Sequence, residues 1–257
     1  MHFYKLAFFR HGEHMKKIFF LTILFTSVYP EIYYSQYSQD RFLNEAVFKG
    51  KKNGVFMEIG AFDGRHFSNT LFFEKYLGWT GVCIEPVPAV FKKLQLNRSC
   101  YCLESAISDY NGIAEFCWTK KVGVLSGICE NYHPKHHAFI DYELSIRNGG
   151  EKIFFNVNVT TFNDTMELYG LTKLDFVTID TEGGEEKIVK SIDFTKYQID
   201  VVFVENNYGF NIKDYLTTKG YTFVRKLGVD EVYIRNELYL EIEDNIKKFS
   251  RKHPRIK

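Results

Sequence analysis

Acidic residues stand at or just after the ends of several apolar segments in this chain. They are Glu58, Asp63, Glu85, Asp180, Glu182 and Glu205. Carboxylates that share one cleft can bind a cation, accept hydrogen bonds from hydroxyl groups or remove a proton from a substrate. These residues therefore raise the question of which cationic or hydroxyl-bearing ligand would lie between them.

Asp63 belongs to a glycine-containing loop, "GAFDG" (60–64), directly after the apolar segment 55–59. A loop that binds a dinucleotide pyrophosphate has the pattern G-x-G-x-x-G, because backbone amides must approach the phosphates. This loop lacks the third glycine, and Asp63 would repel a phosphate placed there. We therefore expect a ligand that has positive charge and no phosphate. S-adenosylmethionine, with its sulfonium, ammonium and ribose diol, meets both conditions.

Glu85 ends the next apolar segment, 25 residues after Gly60. In dinucleotide-binding folds an acidic residue at this place accepts hydrogen bonds from ribose hydroxyls. We expect Glu85 to bind the ribose in that way, and Glu58 or Asp63 to face the ammonium group. These acids could instead be ordinary caps and turns. That simpler interpretation would suit a single acid at one strand end, but it does not explain why the glycine loop and the Glu85 spacing occur together.

Such a donor transfers a methyl group, and an acceptor that reacts through a hydroxyl group would also have to lose a proton to a base. Asp180 is the first candidate and Glu182 the second, because partial burial after an apolar strand would raise the pKa of either carboxyl group. Glu205 could support either one. Glu182 could instead be an acid that stabilises a helix N-terminus. We predict no metal site, although these three carboxylates could together hold a divalent cation.

Strand-like and helical patterns alternate along the chain from residue 34 onwards. Apolar segments such as 81–86 and 174–180 are separated by helical ones, and residues 221–236 are predicted to form a closing hairpin. Ser38 is expected to cap a helix over residues 38–48, and residues 99–108 are expected to contain a strand. Such alternation predicts a mostly parallel sheet with helices on both faces, a Rossmann-like three-layer α/β sandwich. Ligands bind such sheets at the carboxyl ends of the strands, where the acids lie.

Residues 119–150 interrupt this alternation and are predicted to form an insertion near the site, partly helical and suited to a lid. Its histidines could ligate a metal, bind an acceptor or face solvent, and we expect exposure or a place in the lid. They are His133, His136 and His137. The aromatic side chains that could stack on a sugar-like acceptor are Trp118, Tyr132 and Tyr142.

Composition and charge exclude several classes of partner. Charged residues make up 25% of the 257 residues, with a formal net charge of +1. This balance gives no long-range electrostatic reason to bind nucleic acid, and we predict no such partner. The five cysteines show no C-x-x-C spacing, so reduced structural thiols are expected rather than a zinc site. We expect one domain over residues 34–236, followed by a basic helical tail, 237–257.

The amino-terminal segment, residues 1–33, is apolar. Within it, "MKKIFFLTILFTSVYP" (15–30) places two lysines before a run of mostly apolar residues. Three interpretations remain: a secretory signal or short anchor, a segment at the membrane surface, and a buried helix. A membrane-spanning helix would need about 20 apolar residues, more than this run offers. The compartment stays open between the cytoplasm, with membrane association through residues 15–30, and the secretory pathway.

Two long segments carry a resemblance to a known family. "VFMEIGAFDGRHFSNTLFFEKYLGWTGVCIEPVP" (55–88) and "LDFVTIDTEGGEEKIVKSIDF" (174–194) resemble the hallmark segments of the FkbM family of S-adenosylmethionine-dependent methyltransferases. Shorter segments, 34–43 and 202–207, resemble the family's lead-in and a following strand. The resemblance covers roughly residues 34–236.

This resemblance implies a class I methyltransferase fold that uses S-adenosylmethionine for O-methylation of a hydroxyl on a sugar, glycan or natural-product-like acceptor. The implied cofactor-binding residues are Glu58, Gly60, Ala61, Asp63, Gly64, Ser68, Asn69, Glu85, Pro86, Ala106, Ile107, Ser108 and Asp180. The catalytic candidates are Asp180, Glu182 and Glu205. Members of the family differ widely in acceptor, so the acceptor itself is not implied.

Two other functions compete with methyl transfer. An NAD-dependent oxidoreductase would use a similar fold, but Asp63 and the missing glycine disfavour it. A catalytically silent module could keep the methyltransferase fold for binding alone, and the presence of Asp63, Glu85 and Asp180 argues against it.

Overall fold

The computed structural model describes residues 33–256, so the predictions for residues 1–32, including the signal or anchor over 15–30, lie outside the described residues. The strands are β1 Val55–Ile59, β2 Thr80–Ile84, β3 Tyr101–Leu103, β4 Ala106–Ser108, β5 Gly112–Thr119, β6 Gly127–Ile128, β7 Lys152–Thr161, β8 Lys173–Ile179, β9 Gln198–Glu205, β10 Tyr221–Leu227 and β11 Asp230–Arg235. The α-helices are α1 Gln39–Phe42, α2 Leu71–Leu77, α3 Pro88–Asn97, α4 Pro134–Ile146, α5 Phe162–Leu168, α6 Glu185–Ser191, α7 Ile212–Thr218 and α8 Asn236–Lys252.

Seven of these strands form one sheet in the order β10-β11-β9-β8-β1-β2-β3. All of its pairings are parallel except those of β11, which runs antiparallel to both β9 and β10. The chain order reverses between β1 and β8, which is where ligands bind in open α/β sheets. The structure confirms the predicted Rossmann-like α/β sandwich with an antiparallel carboxy-terminal hairpin.

Helices cover both faces of the sheet, because the central strands place apolar side chains on both faces. Phe56 and Phe176 pack on one face with α1, α2, α3 and α8. Met57 and Val177, each the next residue along its strand, pack on the other face with α5, α6 and α7. A strand that is apolar on both faces must be buried on both, which fixes the position of β1 and β8 at the centre of the sheet.

A second sheet, in the order β4-β7-β5-β6, lies outside the main one. The strand expected in residues 99–108 is present as β3, and the segment also contains a second strand, β4. β3 pairs with β2 of the main sheet, whereas β4 pairs with β7 of the second sheet. The chain therefore leaves one sheet for the other within residues 104–105, where Ser105 donates a hydrogen bond to the Asn158 carbonyl (3.1 Å).

The first helix differs from its prediction at both ends. Ser38 has a positive φ of 66° and its side chain makes no capping hydrogen bond. Asp40 instead organises this turn, because its carboxylate accepts hydrogen bonds from the amides of Tyr34 (2.6 Å) and Ser35 (3.2 Å). After α1 the helix widens into a π-helical segment, Leu43–Phe48.

The carboxy-terminal segment is helical and ends in basic residues, with Arg251 and Lys252 in the last turn of α8. Ile242, Ile246 and Phe249 bury one face of α8 in the core, so most of this helix belongs to the domain. No helix within residues 33–256 has the length and apolar character needed to cross a membrane.

Candidate active site

A cavity of about 860 Å³ opens at the carboxyl ends of β1, β2, β8 and β9. Most of the residues implied by the family resemblance line it: Glu58, Gly60, Ala61, Asp63, Ser68, Asn69, Glu85, Pro86, Ala106, Ile107, Asp180, Glu182 and Glu205. Gly64 and Ser108 do not line the cavity. A side chain on Gly64 would meet Leu94 and Arg98, and Ser108 is fully buried.

Gly60 is required by the close approach of two backbones. Its φ is +84°, and a Cβ atom there would lie 1.8 Å from the Asp180 carbonyl oxygen. The amides of Gly60 and Ala61 donate to the Ile84 carbonyl (3.1 and 2.9 Å), and the Asp180 amide donates to that of Ile59 (3.1 Å). Gly60 thus allows the ends of β1, β2 and β8 to pack closely together. The predicted loop therefore starts from a fixed position.

Glu58 is buried and its carboxylate is fully engaged within the protein. It accepts hydrogen bonds from the Ser68 hydroxyl (3.0 Å), the Asn69 amide (2.8 Å) and the Thr70 hydroxyl (2.5 Å). Arg98 Nη1 also donates to it at 2.9 Å. These bonds hold the segment between β1 and α2 in place, so Glu58 organises the predicted cofactor loop.

Arg98 is a residue that sequence reasoning missed. Its side chain is fully buried, with 0% exposure, and it pairs with both Glu58 (2.9 Å) and Glu74 (2.7 Å). A buried guanidinium needs such partners, since an unpaired buried charge is costly. In the sequence Arg98 follows the helical segment 88–97 as an ordinary charged residue would, and no pattern marks it.

Asp63 caps the turn that follows it. Its Oδ1 accepts hydrogen bonds from the amides of Arg65 (3.0 Å) and His66 (2.9 Å), and its Oδ2 lies 2.5 Å from His66 Nδ1. Burial alone would raise the pKa of Asp63, but these hydrogen bonds outweigh it and hold the pKa below its usual value. Asp63 is therefore ionised at neutral pH.

Glu85 follows β2 and lines the cavity with a buried carboxyl group. Its Oε1 accepts a hydrogen bond from the Val87 amide (2.9 Å). Burial, together with the Asp63 charge, raises the pKa of Glu85 to about 7, against the opposing effect of hydrogen bonds from the Val87 and Phe62 amides. Near neutral pH this carboxyl group is thus divided between its neutral and ionised forms.

Asp180, Glu182 and Glu205 form an acidic cluster in which one carboxylate oxygen from each lies within 4.8 Å of the others. Burial raises the pKa of Glu182 and Glu205 well above the usual value, and the charge of Asp180 adds to this. The side chain of Asp180 is exposed to the cavity, yet the protein around it and the charges of Asp230 and Glu185 raise its pKa. The three predicted catalytic residues therefore lie together.

The turn between β8 and α6 contains two residues in left-handed backbone conformations. Glu182 and Gly183 have positive φ angles of 61° and 133°. Glu185, in the first turn of α6, accepts hydrogen bonds from the amides of Thr181 (2.8 Å) and Gly183 (3.0 Å). Glu185 is thus the acid at the N-terminus of α6, the role that we considered for Glu182. Sequence reasoning did not single out Glu185, although an acid directly after Gly183-Gly184 is a recognisable cap signal.

The insertion contains α4, β6 and two 3-10 helices, Lys120–Leu125 and Cys129–Asn131, and it contributes one wall of the cavity. The expectation of exposure is wrong for His136, which is buried and lines the cavity from the insertion. Its Nε2 donates to the Leu125 carbonyl (3.1 Å) and its Nδ1 accepts from the Tyr208 hydroxyl (2.7 Å). His137 is exposed, whereas the half-buried His133 stacks on the Tyr208 ring.

The aromatic side chains that border the cavity differ from those expected. Trp118, Tyr132 and Tyr142 are absent from its lining, and the Tyr132 hydroxyl donates instead to the Leu125 carbonyl (2.9 Å). The cavity is lined by Tyr37, Phe62, Phe67, Phe116, Phe139 and Tyr208. Phe67 and Phe139 are 51% and 46% exposed, which leaves them free to contact an acceptor.

Comparison with known proteins agrees with this geometry. The model of a family described as the methyltransferase FkbM domain matches residues 58–228. No curated protein matches the chain. Among solved structures, the precorrin-6Y C5,15-methyltransferase from Geobacter metallireducens GS-15 is similar over 76% of this chain and 85% of its own, with 12% identity and a TM-score of 0.33. A likeness that weak says nothing about the acceptor.

Proposed function

The chain belongs to the FkbM family of methyltransferases, and we propose that it methylates a hydroxyl group on a sugar, glycan or natural-product-like acceptor with S-adenosylmethionine as donor. The observation that carries the proposal is the acidic cluster at the carboxyl ends of β8 and β9, which supplies a base beside the predicted cofactor loop. A hydroxyl acceptor must lose a proton during transfer, and a carboxylate of raised pKa is suited to take it.

The residues that line the cavity fit S-adenosylmethionine, which supplies an electrophilic methyl group when bound. Ionised Glu85 can accept hydrogen bonds from both ribose hydroxyls. Asn69 Oδ1 is a buried acceptor without a hydrogen-bond partner among the described residues, and an ammonium group would satisfy it. The apolar surfaces of Pro86, Ala106 and Ile107 can pack against the adenine ring.

The acidic lining also explains why a phosphate-containing cofactor is disfavoured. Ionised Asp63 stands in the loop that would otherwise cradle a pyrophosphate. Lys121 and Arg147 border the cavity from the insertion, but Lys121 Nζ donates to the Arg147 carbonyl (3.1 Å) and Arg147 pairs with Glu143 (3.0 Å). These contacts support S-adenosylmethionine over NAD.

We assign the base to Asp180 first and to Glu182 second. Asp180 follows β8 directly and is open to the cavity, while Glu182 and Glu205 beside it are buried. The neighbouring negative charges favour uptake of a proton by the cluster. The main contribution of the chain is then to hold the acceptor oxygen in line with the methyl group and the sulfur, which lowers the entropy cost of reaction.

Replacement of Asp180 by Asn should lower turnover by about 10²- to 10⁴-fold, the usual contribution of a general base. Cofactor affinity should change much less, because Glu85 and the loop remain. Steady-state kinetics with calorimetry of cofactor binding would measure both quantities. Asp244→Asn, an exposed position on α8, is the matched control. Normal turnover in Asp180→Asn would remove Asp180 as the base.

Cofactor affinity should fall about tenfold between pH 7.5 and pH 6, since Glu85 gains a proton as the pH falls through its pKa of about 7. The protonated form has lost one acceptor for the ribose hydroxyls. Asp63 is the charged group beside Glu85, and it stays ionised over this range. Calorimetric titrations across this pH range, with Glu85→Gln as the variant that should lose the dependence, would check this. A flat profile in the wild-type protein would contradict the ribose assignment.

The acceptor can be found by incubating the purified protein with methyl-labelled S-adenosylmethionine and host glycan and lipid extracts. We expect label on an oxygen of one class of hydroxyl compound, and none with Asp180→Asn. Label on nitrogen or carbon would contradict O-methylation. Cofactor binding without turnover across a broad panel of hydroxyl compounds would favour the silent-module alternative.

A further inference from the structure

The acidic cluster of Asp180, Glu182 and Glu205 has little positive charge to balance it within the protein. No lysine or arginine among residues 33–256 forms an ion pair with any of the three. Asp230 and Glu185 add further negative charge nearby. S-adenosylmethionine has two positive groups but also a carboxylate of its own, so it balances only part of this charge.

Glu182 provides a second, separate observation. The residue is only 6% exposed, and its Oε2 has no hydrogen-bond partner among the described residues. His136 Nδ1 lies 3.4 Å from this oxygen. That nitrogen accepts from the Tyr208 hydroxyl, because Nε2 faces the Leu125 carbonyl and must carry the ring proton. A buried carboxylate oxygen of a cluster residue is thus left without a donor.

We propose that Asp180, Glu182 and Glu205 bind a hard divalent cation, Mg²⁺ or Mn²⁺, at the carboxyl ends of β8 and β9. The site goes beyond the methyl transfer proposed above. It replaces the sequence-based prediction of no metal site by the alternative that these three carboxylates offered. A cation there would satisfy Glu182 Oε2 and balance the charge of the cluster.

The chemistry of the donors selects the type of ion. All three are carboxylates, and all-oxygen sites favour Mg²⁺, Mn²⁺ and Ca²⁺ over zinc or copper. Oxygens that bind Mg²⁺ at about 2.1 Å lie at most about 4.2 Å apart, so a cluster within 4.8 Å needs only a small contraction. Ca²⁺ binds oxygen at about 2.3–2.6 Å and usually takes more protein ligands than these three.

The cation site and the base role of Asp180 are compatible. A carboxylate that binds a cation through one oxygen keeps its second oxygen, which can still accept a proton. The open side of the cluster faces the cavity, where water or an acceptor hydroxyl can complete the coordination. A cation bound there would also lower the pKa of that hydroxyl and ease its deprotonation.

Binding of Mn²⁺ to the chelator-treated full chain, followed by electron paramagnetic resonance without donor or acceptor, tests the site. We expect one Mn²⁺ per chain, displaced by Mg²⁺. Glu182→Gln should weaken Mn²⁺ binding at least tenfold, while Glu241→Gln, exposed on α8, should bind as the wild type does. If Glu182→Gln does not fold, Glu205→Gln is the second variant, with the same expected loss.

The proposal would be overturned by no Mn²⁺ binding at millimolar concentration, or by unchanged binding in the folded Glu182→Gln and Glu205→Gln variants. Preference for Ca²⁺ over Mg²⁺ in competition would also contradict it. The outcome is separate from that for the proposed function. Mn²⁺ binding by a chain without methyl transfer would refute only the enzyme activity, and methyl transfer without Mn²⁺ binding would refute only the cation site.

Discussion

Replacing Arg98 by Met should destabilise the protein by about 3–5 kcal/mol, the usual cost of removing one partner from a buried ion pair. The change leaves Glu58 and Glu74 without their guanidinium, and both carboxylates are largely enclosed, with 5% and 11% side-chain exposure. Because Glu58 also holds Ser68 and Thr70, the cofactor loop should loosen with it. Urea unfolding at equilibrium would measure the loss.

The control for this substitution is Arg251→Met, an exposed arginine in the last turn of α8, which should change stability by less than about 0.5 kcal/mol. Adding Glu58→Gln to Arg98→Met should recover part of the loss, since the amide needs no counter-charge. A loss of stability below about 1 kcal/mol in Arg98→Met would show that another group offsets the buried charge of Glu58.

Replacing Glu85 by Gln should have two effects of opposite sign. Affinity for S-adenosylmethionine should fall by about 1–3 kcal/mol, because a charge-assisted acceptor for the ribose hydroxyls is lost. The free energy of unfolding of the cofactor-free protein at pH 8 should rise by about 1–3 kcal/mol, because the buried charge is removed. A residue with a purely structural role would not show this combination.

The sign of the stability effect follows from the direction of the pKa shift. Folding raises the pKa of Glu85 from 4.5 to about 7, so the fold prefers the protonated carboxyl group. The stability contributed by that proton is complete below pH 4.5 and is lost as the pH rises through 7. The amide introduced by Glu85→Gln cannot ionise, and the gain should therefore vanish at pH 4. Lower stability of Glu85→Gln at pH 8 would contradict burial as the cause of the shift.

The fold could be predicted because its signals are local. Strands such as β1 and β8 are apolar on both faces, and this pattern indicates a parallel sheet buried between helices. The second sheet was missed because β4 and β6 are only three and two residues long, and pairing between distant short strands leaves no periodic signal. The π-helical segment Leu43–Phe48 has a helical sequence pattern, so nothing in the sequence indicates its wider turn.

The acids of the site could be placed because parallel strands bring their carboxyl ends to one edge. The environment of each acid could not be predicted, because it depends on partners that are distant in sequence. Glu58 and Asp63 both border the loop, yet Glu58 is held by Arg98, 40 residues away, whereas Asp63 caps its own turn. His136 lies in a segment with no clear periodicity, and its burial depends on Tyr208, 72 residues away.

The central claim is that this cavity binds a cationic donor without phosphate, and calorimetric titration of the full chain with S-adenosylmethionine and with NAD tests it most directly. We expect one binding site for S-adenosylmethionine per chain, unaffected by an excess of NAD. Heat from NAD with none from S-adenosylmethionine would contradict the claim.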